Sequence, residues 1–121
     1  MTASELLSQY AAGQRNFIYV DLSGANLSGA NLSGADLSRA MLIDAKLSSS
    51  NLSGANLNGA NLTGADLTYA NLTGATLDDA DIIAADFSYA NLKDVDLNAA
   101  SADDGALFGG AINMQTEYTP N

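Results

Sequence analysis

The stretch DLSGANLSGANLSGADLS, residues 21–38, repeats nearly the same five residues three times. Each unit has Leu at its centre, Ala two residues before the Leu, and Ser-Gly after it. Large apolar residues continue at the central position from Phe17 to Leu97, seventeen times in a row at a spacing of five. The Ala position is nearly as regular, with Ser50 as an exception inside the series. The whole chain must therefore be interpreted as a repeat before any single element is assigned.

A spacing of five residues fits neither regular secondary structure. On a straight α-helix it advances the position by about 140° beyond a full turn, so successive Leu side chains would spiral around the helix. In an extended strand, an odd spacing puts successive Leu side chains on opposite faces. The repeat therefore predicts a short extended segment followed by a turn, so that every Leu points toward one axis.

Glycine marks the turn at the end of many units. It follows Ser, Asn or Thr at residues 24, 29, 34, 54, 59, 64 and 74. Only Gly adopts positive φ there without steric cost, which predicts a type II turn. Four other corners carry Arg39, Asp44, Tyr69 or Asp79. At those corners the sequence predicts a different turn type.

The units ANLSG, ADLTY and ANLTG resemble the pentapeptide repeat, commonly written A(D/N)LXX, and the match covers residues 15–99 without interruption. The lead-in YAAGQRNF and the closing GALFGGAI resemble the ends of short cyanobacterial members. The resemblance implies an all-β solenoid, a right-handed quadrilateral parallel β-helix with four pentapeptides per coil. Residues twenty apart are then stacked neighbours, and residues 15–114 predict about five coils, with a height of about 24 Å.

The two ends of the chain predict different caps. Residues 1–14 predict a short capping α-helix, because Thr2 and Glu5 have the spacing of a capping box. The β-helix is expected to continue to residue 114, with Leu107 and Ile112 still in register at the central position. Ala102 occupies the same position one unit earlier. Residues 115–121 predict a tail that forms only a weak cap.

Two stacked columns of side chains follow from the twenty-residue spacing. Asn is expected to form hydrogen bonds along an uninterrupted column, in the way stacked amides do in cross-β assemblies. Tyr69 and Tyr89 are expected to stack on one another. The Asn column consists of Asn31, Asn51, Asn71 and Asn91.

Composition excludes several classes of function. The chain has no Cys and no His, which removes disulfides, cysteine nucleophiles, the usual general base and the commonest metal ligands. A narrow, filled core offers no substrate cavity either. The sequence therefore predicts a protein that is not an enzyme, with no cofactor and no metal site. No sequence signature of a Ca²⁺ loop accompanies the paired Asp residues.

The net charge of −10 disfavours direct binding to nucleic acid, because phosphate backbones would be repelled. No apolar run approaches the roughly 18–20 residues that cross a bilayer, so no membrane partner is expected. The N-terminus MTASELLSQY lacks the pattern of a signal peptide. The predicted location is the cytoplasm, unless a targeting segment has been removed.

Negative charge collects toward the C-terminus. Residues 76–104 contain eight Asp against the single cation Lys93, a net charge of −7, whereas residues 16–75 have a net charge of −2. Stacked carboxylates destabilise a sheet, so their retention suggests a function, although solubility alone is the simpler explanation. The candidate interaction surface consists of Asp78, Asp79, Asp81, Asp96, Asp103 and Asp104.

Two functions remain open at this stage. The first is a non-enzymatic protein-interaction scaffold with an acidic surface, whose partner protein the sequence does not identify. The alternative is a DNA mimic, because some pentapeptide repeat proteins bind DNA gyrase and protect it from quinolones. A height of about 24 Å spans only about seven base pairs, so mimicry would require end-to-end dimerisation. A monomer or a weak end-to-end dimer is expected.

Overall fold

The chain winds around one axis with twenty residues in each coil. The computed structural model describes residues 1–100, 104–115 and 118. Parallel β-bridges join residues twenty apart, beginning with Asn16↔Asp36 and continuing to Asn71↔Asn91. A turn follows every bridge, as where the Ala25 N–H donates to Leu22 O at 3.0 Å. The sheet of each wall is therefore built from single bridges, since no segment among the described residues stays extended long enough to form a continuous strand.

Leu and Ala fill the interior. Every central residue from Phe17 to Leu97 is at most 4% exposed. Burial of each Leu stabilises the fold by about 1.5–3 kcal/mol. Ser50, the exception at the Ala position, is buried as well, and its hydroxyl donates to Leu47 O at 2.7 Å. The interior thus accepts one polar side chain because Leu47 O, which also accepts the Ser50 backbone N–H at 3.1 Å, accepts the hydroxyl as a second donor.

The Asn or Asp before each central residue stabilises the turn of its own unit. In a typical unit, Asn51 Oδ1 accepts the Ser53 backbone N–H at 3.0 Å and the Ser53 hydroxyl at 2.7 Å. Asn31, Asn71 and Asn91 accept the corresponding backbone N–H in their units. The prediction that these amides bond to one another along their column was wrong. Each Oδ1 accepts instead from the backbone N–H two residues ahead in its own unit.

Three units lack this acceptor, with Met41, Lys46 or Thr76 in place of Asn or Asp, and for Thr76 the preceding coil supplies a substitute. The Thr76 unit is ATLDD, residues 75–79. The Asp78 backbone N–H donates instead to Asn58 Oδ1, at 2.9 Å, from the neighbouring coil. The Thr76 hydroxyl donates to Asn56 Oδ1 at 3.4 Å. Two departures from the repeat, Asn58 and Thr76, therefore compensate for one another.

The four corners for which the sequence predicts a different turn adopt the same left-handed backbone as the glycine corners. The φ angles of Arg39, Asp44, Tyr69 and Asp79 lie between 56° and 61°, close to the 70° of Gly24. The prediction of a different turn type was wrong. Stacking explains the result, because these corner N–H groups donate to the next coil as glycine N–H groups do, Arg39 to Asn58 O at 2.8 Å for example. Left-handed geometry costs a residue with a side chain about 1–2 kcal/mol.

An α-helix covers the N-terminal end of the coils. Helix α1 spans Ala3–Ala11, and Thr2 and Glu5 form a capping box at its start. Leu6 is fully buried against the first coil. The Tyr10 hydroxyl donates to Ser33 O at 2.7 Å, and the Arg15 guanidinium lies 3.7 Å from the centre of the Tyr10 ring. The helix thereby shields the apolar end of the core from water.

The register of the coils changes by one residue after Leu97. A short 3₁₀-helix, η1, spans Leu97–Ala99. Before η1 the Gly74 N–H donates to Lys93 O, nineteen residues ahead, whereas the Asp79 N–H donates to Ala99 O, twenty residues ahead. The later bridges, Asp86↔Leu107 and Asn91↔Ile112, join residues twenty-one apart. The 3₁₀-helix therefore absorbs one additional residue.

This change overturns the expected positions of Leu107 and Ile112. Both side chains lie outside, 55% and 52% exposed. Phe108 takes the interior position instead and stacks on Phe87, with ring centroids 5.3 Å apart and planes within 5°. A stacked aromatic pair stabilises the coil more than Leu in that position would, which favours the shifted register. Ala102, the third residue of the expected series, lies outside the described residues.

Residues from the predicted tail contact the last coil. The Tyr118 ring meets the Phe108 ring edge-on, with centroids 5.5 Å apart. Gln115 Oε1 accepts the Leu97 N–H, and Met114 packs against the core. These contacts cover part of the C-terminal end.

The corner geometry predicts opposite effects for two substitutions. Gly54 has a φ of +66° and open space around an added Cβ, so Gly54→Ala introduces backbone strain alone. We expect it to lower the free energy of unfolding by about 1 kcal/mol. Ala84, at a φ of 56°, is the reciprocal case, and Ala84→Gly should be neutral or stabilising by up to about 0.5 kcal/mol. Urea denaturation measures both, and an unchanged Gly54→Ala protein would contradict the argument.

Candidate interaction surface

Two of the candidate carboxylates accept hydrogen bonds from backbone N–H groups. Asp81 Oδ1 accepts the Ile83 N–H at 3.1 Å, as the Asn of other units does. Asp96 caps η1 by accepting the Asn98 N–H at 3.0 Å. The fold therefore explains an oxygen acceptor at both positions, whether or not a partner binds there.

The carboxylates of three other candidates do not stabilise the backbone in this way. Asp78, Asp79 and Asp104 are exposed, and within the described residues no hydrogen bond or ion pair involves their carboxylates. Asp78 follows Leu77, at a position that usually carries Ser or Thr, and Asp79 occupies a corner, where Gly is the commonest residue. Asp103, the sixth candidate, lies outside the residues that the structure describes.

The six candidates do not form one cluster. Asp78 and Asp79 lie together at the end of the wall centred on Leu77, and Asp81 begins the next wall across the corner. Asp96 and Asp104 belong to the following coil, where the Ala84 N–H donates to Asp104 O at 2.8 Å. The described candidates are thus distributed along two adjacent walls over two coils.

Asp78 and Asp79 line a shallow groove of about 450 Å³. Gly59 opens this groove, because it stands between Arg39 and Asp79 in the column of corner residues and has no side chain. A Cβ at Gly59 would lie 3.0 Å from Arg39 Cγ. The lining consists of Ser38, Arg39, Asn56, Asn58, Gly59, Asp78 and Asp79. The groove therefore has Arg39 at one end, two carboxylates at the other, and the Asn56 and Asn58 amides between them.

Arg39 is oriented toward the N-terminal coil. Its Nη1 donates to the Tyr19 hydroxyl at 3.2 Å, and its guanidinium carbon lies 5.6 Å from the centre of the Tyr19 ring. Arg39 and the acidic side of the groove are two coils apart, which is about 10 Å. This groove was not predicted from the sequence, although the twenty-residue spacing of Tyr19, Arg39, Gly59 and Asp79 indicates it.

A pair of exposed tyrosines occupies another corner. Tyr69 and Tyr89 stack with centroids 4.9 Å apart and planes within 9°, which confirms the predicted pair. The two side chains are nevertheless 62% and 56% exposed. Gly110 lies directly against the Tyr89 ring, and an added Cβ there would collide with that ring. The absence of a side chain at residue 110 thus allows the ring to lie flat on the corner.

Hydrogen bonds from the backbone lower two carboxyl pKa values. The Ser23 backbone N–H, donating to Asp21 Oδ1 at 3.1 Å, lowers the pKa of Asp21. The Thr2 backbone N–H has the same effect on the pKa of Glu5 in the capping box of α1. In both cases the ionised carboxylate is the better acceptor.

Neither a metal site nor a membrane-spanning helix is present in the part of the chain that the structure describes. Among the residues that the structure describes, no group of three or more acidic, His or Cys side chains is placed to hold a metal ion. None of the helices in that part of the chain is long and apolar enough to cross a membrane.

The geometry defines a closed-core solenoid with polar walls, and comparison with known proteins identifies its family. The sequence profile of pentapeptide repeats matches with eight copies, over residues 21–59, 45–82 and 60–98. The chain belongs to the pentapeptide repeat family, whose members fold as right-handed quadrilateral β-helices. A comparison with curated proteins finds no match.

Solved structures of cyanobacterial pentapeptide repeat proteins are similar to this chain. The protein alr5209 from Nostoc PCC 7120 is 33% identical, with a TM-score of 0.65 over 88% of this chain and 95% of that protein. Rfr23 from Cyanothece 51142 is 35% identical, with a TM-score of 0.52 over 81% of this chain. The match covers 61% of Rfr23, so this chain spans about three fifths of that protein.

The two classes of carboxylate predict different mutational effects. Asp81→Ala removes the acceptor of the Ile83 N–H and should lower the free energy of unfolding by about 1 kcal/mol. Asp81→Asn keeps the acceptor and should be nearly neutral, as should Asp78→Ala, within about 0.5 kcal/mol. Thermal and urea denaturation of the three variants provide the check. Equal losses in the free energy of unfolding for Asp81→Ala and Asp78→Ala would contradict the distinction between carboxylates that stabilise a turn and carboxylates that do not.

The lowered pKa of Asp21 predicts a specific pH dependence. A depressed carboxyl pKa contributes stability above the ordinary carboxyl range, and this contribution is lost as the pH falls through the pKa of the folded state. Asp21→Asn keeps an oxygen acceptor that does not titrate. We therefore expect the wild type to lose stability relative to Asp21→Asn as urea denaturation is repeated at increasingly acidic pH. Parallel pH profiles for the two proteins would argue against this assignment.

Proposed function

We propose that this chain is a non-enzymatic protein-interaction scaffold and that its C-terminal acidic surface binds a basic surface on a partner protein. Members of the pentapeptide repeat family are generally protein-interaction scaffolds, which supports the first part. The absence of His and Cys from the sequence also disfavours most catalytic mechanisms. This acidic surface consists of Asp78, Asp79 and Asp104, the exposed candidates whose carboxylates form no hydrogen bond among the described residues.

The observation that carries the proposal is the presence of carboxylates that the fold does not require. Asp79 occupies a left-handed corner with a φ of 59°, where Gly is the less strained residue. Asp78 stands beside it, so two like charges are adjacent at an exposed turn. Both features lower stability, and binding to a partner with positive charge would explain why they are present.

A rigid body suits this function. The core of stacked Leu and Ala side chains holds the walls in place, so little conformational entropy is lost when a partner binds. Because the carboxylates are exposed, binding should weaken with ionic strength. A cytoplasmic location and a state no larger than a weak end-to-end dimer belong to the same proposal.

The experiment compares partner capture by two variants of equal net charge. The test variant carries Asp78→Asn, Asp79→Asn and Asp104→Asn, and the control carries Asp21→Asn, Asp36→Asn and Asp44→Asn. Each protein is immobilised in extract from the source cell, and the captured proteins are quantified by mass spectrometry. We expect the control to retain the specific partners of the wild type and the test variant to lose them, because only the test variant alters the acidic surface.

Retention of every specific partner by the test variant would refute the role of the acidic surface. Inhibition of DNA supercoiling by gyrase, measured with the wild-type protein, would instead favour the DNA-mimic alternative. Equal losses by both variants would indicate that net charge acts without regard to position, which also contradicts the proposal.

A further inference from the structure

The last three coils expose four large apolar side chains around one corner. We define the C-terminal apolar band as Tyr69, Tyr89, Leu107 and Ile112, which are 62%, 56%, 55% and 52% exposed. Single exposed apolar residues are ordinary on protein surfaces, but a group of neighbouring ones indicates an interaction site. The group contains two aromatic rings, which are enriched at the centres of protein interfaces.

The change of register at η1 places two members of the band. Leu107 forms a bridge with Asp86 and is the last member of a column of outward residues. The other members are Asn26, Lys46, Asp66 and Asp86. Ile112 pairs with Asn91, at the end of the uninterrupted Asn column. At these outward positions a polar side chain is the rule, and Asn or Asp also stabilises the following turn. Leu107 and Ile112 lack that acceptor, so the fold gains nothing from them there.

The aromatic part of the band is held in a defined orientation. Tyr69 and Tyr89 are parallel and 4.9 Å apart, and Gly110 leaves the space in which the Tyr89 ring lies. An interface formed by such fixed rings requires little ordering of side chains when a partner binds.

The charge beside the band is mostly negative, and the exposed cation Lys93, two residues after Asn91, is followed directly by the exposed Asp94. Asp66 and Asp86 lie on the same wall as Leu107, in adjacent coils, and Asp104 lies exposed on the preceding wall. Lys46 precedes Asp66 in the column and is three coils away from Leu107. The partner must therefore complement carboxylates as well as apolar side chains.

We propose that the C-terminal apolar band, together with Asp66 and Asp86, docks a segment of a partner protein that carries both apolar and basic side chains. This inference rests on the proposed scaffold function and specifies the chemistry of its partner. Apolar side chains of the segment would cover Leu107 and Ile112, while Lys or Arg would meet Asp86 and the tyrosine rings.

Charge argues against a second copy of this chain as the occupant. A symmetric dimer built on the band would bring each copy's Asp86 toward the same surface of the other copy. Each chain also has a net charge of −10, which opposes self-association. A basic and apolar segment satisfies both the charge and the apolar surface.

The test uses short synthetic peptides of defined pattern, labelled for fluorescence anisotropy. One peptide alternates Lys with Leu, a second alternates Lys with Ser, and a third alternates Glu with Leu. The test variant is Leu107→Asn with Ile112→Asn, which restores the residue type typical of both positions. The matched control is Ile18→Ser with Met41→Asn, because these two side chains are also partly exposed, 40% and 44%, but lie near the N-terminus.

We expect the Lys-Leu peptide to bind the wild type and the control variant with equal affinity. The test variant should bind it about tenfold more weakly, because two apolar contacts are lost. The Lys-Ser peptide should bind the wild type about tenfold more weakly than the Lys-Leu peptide, and the Glu-Leu peptide should not bind. Circular dichroism and thermal unfolding establish that the test variant is folded.

Three outcomes would overturn the inference. Equal affinity of the test variant and the wild type for the Lys-Leu peptide would exclude the band. Wild-type protein that binds the Lys-Ser peptide as tightly as the Lys-Leu peptide would show that charge alone accounts for binding. A wild-type dimer in sedimentation experiments that the test variant abolishes would identify a second copy as the occupant. These outcomes are distinct from failure of the scaffold proposal, which is measured by partner capture with the variant of Asp78, Asp79 and Asp104.

Discussion

Backbone hydrogen bonds between neighbouring coils decide which side of every residue faces the core. A bond such as Leu22 N to Met41 O, at 2.8 Å, fixes the alignment of two coils and repeats along the chain. With that alignment, Leu and Ala stack into a continuous interior and Asn or Asp lies outside. A shift of one residue reverses the sides, and after η1 it moves Leu107 outward and Phe108 inward. The interior and the surface are consequences of the same register.

The same constraint limits where function can be encoded. The central and Ala positions are occupied by the core, and the Asn or Asp position stabilises the turn, as Asp81 and Asp96 do. Freedom remains chiefly at the corner and the residue before it, where the left-handed backbone has already been imposed by stacking. Asp78 and Asp79 use that freedom to add charge, and the tyrosine stack uses it to add exposed apolar area.

The repeat in the sequence predicts most of the fold because its signals are local. The five-residue spacing, the glycine corners and the spacing of Thr2 and Glu5 each depend on a few neighbouring residues. Properties set by stacking were predicted less well. The non-glycine corners follow their neighbours in adjacent coils, and the spacing of five continues through Leu107 although Phe108 forms the better contact with Phe87. Likewise, a count of Asp residues does not distinguish a turn acceptor from a free carboxylate.

The register of the last coil is therefore the claim that most needs a direct measurement. The chain has no Cys, so a single introduced thiol reports the exposure of one position. In folded protein, Leu107→Cys should react with a thiol reagent at a rate close to that of an unfolded control, whereas Phe108→Cys should react much more slowly. Fast labelling at residue 108 with protection at residue 107 would contradict the shifted register and, with it, the apolar band.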